Sequence, residues 1–235
     1  MTLDSGKNPR SIVRSFPART HGRYLLQLPD GNSPRPLLVG FHGYAENAEI
    51  HLRHLSRIPG AELWLTASVQ ALHPFYKRTT GEVIASWMTS LDRDLAVADN
   101  VSYVAGVVAE IKREQPADGR LVYAGFSQGA AMAYRAAAYA KHPCQGLVVL
   151  GGDVPPELKG DLSVPLPPIL LGRGKRDEWY TQQKMDADLE FFALRGASVS
   201  PVVFDGGHAW AEEFLEAAAR FLDQVKSRSI LAAEY

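Results

Sequence analysis

The stretch LVYAGFSQGA, residues 121–130, decides how this chain of 235 residues is interpreted. Its first four residues form a short apolar run that suits a buried strand, and an alanine-rich segment (128–141) that favours helix follows. Between them lies Ser127, with glycines two residues to either side that relieve the crowding of a sharp turn. The stretch therefore predicts an exposed serine hydroxyl at a strand-to-helix turn, beneath the first amide groups of the helix. A glycine-bounded turn with an incidental serine is the alternative.

Short apolar runs alternate with helical stretches on both sides of this turn. The runs are nearly continuous, as in strands buried on both faces of a parallel sheet, and cover 37–41, 63–67, 121–124, 147–150, 169–171 and 199–204. Spacing of apolar residues, alanine content and a C-capping glycine predict helices at 94–115, 128–141, 186–195 and 211–226. We therefore expect an α/β protein with a mostly parallel sheet, folded as one domain over 1–235 with a loose tail at 1–10.

The first 35 residues are basic, with six lysines and arginines against two aspartates. We interpret them as an antiparallel hairpin in which Ile12-Val13 and residues 24–26 flank a turn at Thr20-His21-Gly22. A cleaved, arginine-rich transit peptide is the alternative. No apolar run is long enough to span a membrane, and the single Cys144 favours a reducing compartment, so a cytoplasmic location is expected.

Composition excludes several classes of function. With 25 basic and 26 acidic residues, the chain has no overall field that would attract nucleic acid or an anionic membrane. An apolar content of 46% argues against disorder. His51 and His54 are spaced i, i+3 and are predicted to be solvated on a polar helix, so no metal site is expected.

A serine at neutral pH is a weak nucleophile that needs a base, and the base needs an acid to orient it. On this architecture the three follow the order serine, acid, histidine. Only His142 and His208 follow Ser127. His142 ends the helix of the serine, where a capping role fits, whereas His208 lies in a glycine-flanked loop after the last strand and is the expected general base.

The acid should follow a strand between the serine and the base. Asp177 comes after the run at 169–171 and is the expected acid, with a surface ion pair to a neighbouring basic residue as its alternative role. Asp153, one strand earlier, and the adjacent Glu178 are rivals, while Asp205 fits a turn beside His208. Asp177 is therefore the predicted acid, and Asp153 and Glu178 stay open as alternatives.

Acyl transfer also needs N–H donors for the oxyanion of the tetrahedral intermediate. The amide of Gln128, which follows the serine, is one candidate. The second should come from the loop after an early strand, and FHGYAEN at 41–47 fits, with the amide of Tyr44 as donor. His42 is then a residue that shapes this loop.

With these residues, the chain resembles the phospholipase/carboxylesterase family of α/β hydrolases, which includes the acyl-protein thioesterases. The similarity covers about residues 36–226 and lies in the early FHG, in GFSQGA, in GRGKRD at 172–177 and in Gly207-His208. The resemblance implies a three-layer α/β-hydrolase fold and a serine esterase without a cofactor, often homodimeric. It implies Ser127, Asp177 and His208 as triad and the amides of Tyr44 and Gln128 as oxyanion hole.

The substrate is less well specified. The thioesterase branch of the family typically reads HGxGD, whereas this chain reads HGYAEN at 42–47, so carboxylic esters, lysophospholipids and acyl thioesters all stay open. Trp87 matches a position where the family often carries a tryptophan near the substrate channel. The candidate substrate-binding residues are aromatic or large and lie in the long connection 68–93 or after the base; they are Phe75, Tyr76, Trp87, Met88 and Trp210. Packing of the loop, or anchoring of the last helix by Trp210, is an equal alternative.

Two other functions are compatible with this fold. A dienelactone-hydrolase-like enzyme would carry a cysteine at the turn, where this chain has Ser127. A non-catalytic hydrolase-fold protein that binds ligands would usually lack a member of the triad. We therefore expect a small-molecule ester as substrate, no nucleic-acid or integral-membrane partner, and a homodimer as the family's usual assembly.

Overall fold

Strands and helices alternate along most of the chain. The computed structural model describes residues 11–161 and 163–227, so the tail predicted at 1–10 lies outside the described residues. The strands are β1 Tyr24–Gln27, β2 Arg35–Phe41, β3 Leu65–Val69, β4 His73–Tyr76, β5 Val83–Ser86, β6 Ala117–Phe126, β7 Gly146–Leu150, β8 Ile169–Gly174 and β9 Val199–Phe204. The helices are α1 Ala48–Ser56, α2 Arg93–Glu114, α3 Gln128–Tyr139, α4 Pro156–Gly160, α5 Gln182–Leu194 and α6 Glu212–Ser227.

Within the described residues, seven strands form the central sheet, in the order β1-β3-β2-β6-β7-β8-β9. Strands β2, β3, β6, β7, β8 and β9 run parallel, and β1 pairs antiparallel with β3. The predicted, mostly parallel sheet is therefore confirmed. Because parallel strands end at the same edge, the loops after β2, β6, β8 and β9 meet at the carboxyl edge of the sheet.

The N-terminal antiparallel strand is present, but the predicted hairpin partner was wrong. Residues 11–23 form neither helix nor strand, and the side chains of Ile12 and Val13 are exposed. Strand β1 pairs instead with β3, with Tyr24 opposite Val69, because the edge of β3 offers unpaired backbone groups. The antiparallel hairpin of this protein is β4–β5, which lies inside the connection predicted at 68–93.

Helices cover both faces of the sheet, which confirms the predicted three-layer α/β architecture. Successive residues of β2 point to opposite faces, so Leu37 and Val39 join a core with α2, α3 and α5, whereas Leu38 joins a core with α1 and α6. Among the residues that the structure describes, no helix is both long and apolar enough to cross a membrane.

Most predicted boundaries lie within a few residues of the observed ones. The largest differences are β6, which begins at Ala117, and α5, which begins at Gln182 because the hydroxyl of Thr181 accepts a hydrogen bond from the amide of Lys184. The prediction of a solvated His51 was wrong. Its side chain is fully buried where α1 packs on β2, and a Cβ on Gly40 would lie 2.7 Å from its Nε2.

Candidate active site

Strand β6 ends in the sharp turn that the sequence predicts. Ser127 has φ 55° and ψ −119°, and residues other than glycine rarely adopt a positive φ. A Cβ on Gly125 would lie 2.2 Å from the carbonyl oxygen of Gly129, and a Cβ on Gly129 would lie 2.0 Å from that of Phe41. Only glycine fits at both positions, so the strained turn depends on both flanking glycines.

Ser127 and His208 meet although they are 81 residues apart in the chain. The Nε2 atom of His208 lies 2.8 Å from the Oγ atom of Ser127. The imidazole is partly exposed and packs on the ring of Phe126, with 4.8 Å between the ring centroids. The base candidate is therefore within hydrogen-bond distance of the serine hydroxyl and open to a substrate.

Asp177 completes this arrangement from the loop after β8. Its Oδ2 atom lies 2.7 Å from Nδ1 of His208, and its Oδ1 atom accepts hydrogen bonds from the amides of Trp179 and Tyr180 at 2.9 and 2.8 Å. Because a carboxylate only accepts, the proton of the imidazole resides on Nδ1. The Nε2 atom is then free to accept from the hydroxyl of Ser127.

The loops that carry Asp177 and His208 are bonded to each other. The amide of Lys175 donates to the carbonyl of Phe204 at 2.9 Å, and the amide of Arg176 donates to that of Gly206 at 2.8 Å. A Cβ on Gly174 would lie 2.2 Å from the carbonyl oxygen of Gly207, so the two loops touch. These backbone bonds fix the distance between the acid and the imidazole.

The other acid and base candidates have different partners. Asp153 forms an ion pair with Lys184 at 3.1 Å, and Asp205 forms one with Arg176. The Nε2 atom of His142 lies 2.9 Å from the carbonyl of Ala105 and ties the end of α3 to α2. Among the hydrogen bonds of the described residues, none joins these two aspartates or this histidine to the hydroxyl of Ser127.

Two backbone amides, one in the loop after β2 and one directly after Ser127, are left without acceptors in the part of the chain that the structure describes. Those of Tyr44 and Gln128 have no hydrogen-bond acceptor among the residues that the structure describes, although their neighbours are bonded. The amide of Gly43 donates to the carboxylate of Glu46 at 2.7 Å, and that of Ala45 donates to the carbonyl of Ala85 at 3.1 Å. The Tyr44 amide thus lies in a loop fixed on both sides, while the Gln128 amide is the first of α3.

His42 shapes this loop, as the sequence analysis expects. It is fully buried, its Nε2 accepts a hydrogen bond from the amide of Ala71 at 3.0 Å, and its Nδ1 donates to the carbonyl of Gly43 at 2.7 Å. Burial lowers the pKa of His42 to about 4, so the ring is neutral at neutral pH.

Trp87, which the sequence predicts near the substrate channel, is a buried residue, and a role for it in binding substrate stays a prediction. Its side chain is fully buried, and its Nε1 donates to the carbonyl of His42 at 2.8 Å. The side-chain amide of Gln128 holds the same segment, because its Oε1 accepts from the Trp87 amide at 2.9 Å and its Nε2 donates to the carbonyl of Met88 at 3.0 Å. This tryptophan supports the loop before Tyr44.

A cleft of about 360 Å³ opens beside Ser127. Met88 is the one predicted substrate-binding residue in its wall. The wall combines polar, charged and apolar side chains from α2, α3 and α5, from the connection after β7 with the start of α4, and from the loop after β8; they include Arg93, Gln128, Ala131, Arg135, Asp153, Val154, Pro155, Pro156, Trp179 and Lys184. The sequence analysis missed Trp179, an exposed indole whose position two residues after Asp177 was an available signal.

The remaining predicted aromatic residues lie elsewhere. Trp210 is buried, stacks on His54 at 5.5 Å between ring centroids and contacts Phe214, so it anchors α6, which was the alternative for it. Phe75 and Tyr76 are exposed on β4, outside the wall of the cleft, and the ring of Phe75 contacts that of Tyr44. A role for these two in binding substrate stays a prediction.

The comparison with protein-family models and the comparison with solved structures agree with each other. The model of the phospholipase/carboxylesterase family matches residues 88–226. Among solved structures, esterase PE8 is 18% identical and aligns over 88% of this chain and 100% of its own, with a TM-score of 0.70. The Bacillus cereus carboxylesterase is 16% identical over 87% of this chain and 94% of its own, with a TM-score of 0.64.

The Zea mays acyl-protein thioesterase 2 is 20% identical over 87% of this chain and 99% of its own, with a TM-score of 0.65. No curated protein sequence matches the chain. The identities are low, so these structures establish the fold, while the family model covers more than half of the sequence. The chain therefore belongs to the phospholipase/carboxylesterase family of α/β hydrolases and has the fold of that family.

Proposed function

We propose that this protein is a serine esterase that hydrolyses carboxylic esters through an acyl-enzyme on Ser127. The observation that carries the proposal is the continuous line of hydrogen bonds from Ser127 to His208 at 2.8 Å and from His208 to Asp177 at 2.7 Å. A hydroxyl, an imidazole and a carboxylate in this order are the groups that general-base activation of a serine requires.

In the acylation step, Oγ of Ser127 attacks the ester carbonyl while its proton moves to Nε2 of His208. The negative charge that develops on the carbonyl oxygen is stabilised by the free amides of Tyr44 and Gln128. As the intermediate collapses, the bond to the alcohol breaks, and the imidazolium gives its proton to the leaving alcohol. Asp177 stays ionised and stabilises the imidazolium that forms.

In the deacylation step, water takes the place of the alcohol. His208 removes a proton from the water as it attacks the acyl carbonyl, and the same two amides again stabilise the oxyanion. The bond to Ser127 breaks, its oxygen recovers the proton from His208, and the carboxylic acid leaves. Acyl thioesters and lysophospholipids fit the same steps, because only the leaving group differs.

The cysteine-based alternative has less support. Cys144 precedes β7, at the amino edge of the sheet, whereas Ser127 follows β6 at the carboxyl edge. Burial raises the pKa of the Cys144 thiol to about 12, so the reactive thiolate is scarce at neutral pH. A homodimer and a cytoplasmic location remain predictions from the resemblance and the composition.

Labelling with a fluorophosphonate probe tests the proposal. We expect one covalent adduct per chain in the wild type, detected by intact mass, and none in Ser127→Ala. Ser200→Ala is the matched control, because Ser200 is an exposed serine on β9 and should not affect labelling. Folded wild-type protein that stays unlabelled, or an adduct that persists in Ser127→Ala, would contradict the proposal. Turnover of p-nitrophenyl esters by the wild type, and its loss in Ser127→Ala, provides the activity readout.

A further inference from the structure

The cleft beside Ser127 continues along one face of α3. Gln128, Ala131 and Arg135 lie three and four residues apart, so their side chains share a face of the helix, and all three line the cleft. Eight residues separate Ser127 from Arg135, which corresponds to about 12 Å of helix. A group held by Arg135 would therefore lie within about 12 Å of the serine, since helical side chains lean towards the N-terminus.

Arg135 is a buried cation with unused hydrogen-bonding capacity. Its side chain is 2% exposed, and its Nε atom donates to Oε1 of Glu157 at 2.5 Å. Its Nη1 atom has no hydrogen-bond partner within residues 11–161 and 163–227. Burial lowers the pKa of Arg135 more than the contact with Glu157 raises it, which indicates that one carboxylate only partly compensates for the lost water.

Charges around the cleft do not balance. Glu157 is shared, because its Oε2 also accepts from Nη2 of Arg93 at 3.1 Å. Lys184 is matched by Asp153. Three cations thus face two carboxylates. The remaining acidic contact, that of Arg93 with Asp94 at 3.6 Å, involves a fully exposed carboxylate that water screens.

We propose, on the basis of the serine esterase function proposed above, that the cleft binds esters carrying a second, anionic group, and that Arg135 is the specificity-determining residue that receives this anion. A guanidinium forms strong, charge-assisted hydrogen bonds with carboxylate or phosphate, and the unpartnered Nη1 of Arg135 has this capacity unused. The wall of the cleft also has apolar surface for the carbon chain that would connect the ester to the anionic group. This surface comes from Met88, Val154, Pro155 and Pro156.

Matched ester pairs test the acyl side of the substrate. The mono-p-nitrophenyl ester of adipic acid differs from p-nitrophenyl hexanoate by a carboxylate in place of the terminal methyl group. We expect the wild type to have at least a tenfold higher kcat/KM for the adipate ester, and the ratio of the two values to fall towards one in Arg135→Gln. Arg220→Gln removes the same charge from the exposed face of α6 and should leave the ratio unchanged.

A second pair tests the alcohol side. Butanoylglycerol 3-phosphate and neutral monobutanoylglycerol share an acyl group and differ by the phosphate. A preference in this pair alone places the anion on the leaving alcohol, whereas a preference in the adipate pair alone places it on the acyl group. If neither anionic ester is preferred, or if the preference survives in Arg135→Gln, the anion subsite is refuted.

A binding experiment separates this proposal from the esterase function. In the Ser127→Ala background, which removes turnover, monoethyl adipate should bind at least tenfold more tightly than ethyl hexanoate by calorimetry. Adding Arg135→Gln should abolish the difference. Equal affinities refute the subsite even if the wild type hydrolyses esters, whereas unlabelled Ser127 with intact anion binding refutes the esterase and retains the subsite.

Removal of one partner of a buried ion pair can unfold a protein. Arg135→Met replaces the buried cation by an apolar side chain, while Glu157 keeps its ion pair with Arg93. If Arg135→Gln does not fold, the same ratios measured on Arg135→Met decide the question, and a retained preference for the anionic esters overturns the proposal.

Discussion

His42 and His208 lie at the same edge of the sheet, after β2 and after β9, and have different surroundings. Both nitrogens of His42 bond to backbone atoms, those of Gly43 and Ala71, and its ring is fully buried. The nitrogens of His208 instead contact the side chains of Asp177 and Ser127, and its ring is partly exposed. A histidine held by backbone atoms fixes a loop, whereas one between a carboxylate and a hydroxyl can transfer a proton.

Substitution of the two histidines should affect different properties. We expect His208→Gln to lower kcat/KM for p-nitrophenyl esters on the order of 10⁴- to 10⁶-fold, because the serine loses its base. Its free energy of unfolding should change little. His42→Gln should instead lower the free energy of unfolding by about 1–3 kcal/mol, through the loss of two buried hydrogen bonds. Kinetics and urea unfolding on both variants make the comparison, and a larger kinetic loss in His42→Gln would reverse the assignment.

Asp177→Asn should have the next largest effect. The asparagine amide would donate to Nδ1 of His208, which forces the proton of the ring onto Nε2 and prevents it from accepting the proton of Ser127. We expect a loss in kcat on the order of 10⁴-fold. Asp205→Asn is the control, because Asp205 is exposed and pairs with Arg176 outside the site. Comparable losses in both variants would show that the acid is misassigned.

The buried neutral state of His42 makes the protein sensitive to acid. Its pKa is about 4 when folded and about 6.5 when unfolded, so the unfolded chain binds the proton more readily. Stability is therefore fully present above about pH 6.5 and is lost as the pH falls towards 4, by about 3 kcal/mol from this group. His51, whose pKa burial also lowers, contributes in the same direction. Urea unfolding between pH 7 and 4 should show a shallower decline in His42→Gln, and identical slopes would contradict the prediction.

The contrast between His42 and His208 also explains which parts of the site can be predicted from the sequence. Ser127, Asp177 and His208 each follow a strand, and the alternation of strands and helices is a local pattern. Once the strands are parallel, their ends must share an edge, so chain order alone brings the three residues to one place. The same reasoning places the loop with Tyr44 beside them.

Residues whose surroundings come from distant segments could not be read in this way. Arg135 stands in an alanine-rich helix, where a lone arginine suggests an exposed position, yet it is buried and forms an ion pair with Glu157 of α4. The resemblance predicts Trp87 near the substrate channel, whereas its hydrogen-bond partner is the carbonyl of His42, 45 residues earlier. Hydrogen bonds of this range leave no periodicity in the sequence.

The smallest effect that we predict tests whether support of the His42 loop reaches the chemistry. Trp87→Phe removes the hydrogen bond from the indole to the His42 carbonyl and should lower the free energy of unfolding by about 1–3 kcal/mol. If the loop positions the Tyr44 amide, kcat/KM should also fall by roughly tenfold, since a small displacement of an oxyanion donor weakens transition-state binding. Trp64→Phe is the matched control, because Trp64 is equally buried in the core on the α1 and α6 face. It should lower stability and leave kcat/KM unchanged. Equal kinetic effects in the two variants would mean that Trp87 contributes to packing alone and that the Tyr44 amide is positioned by other contacts.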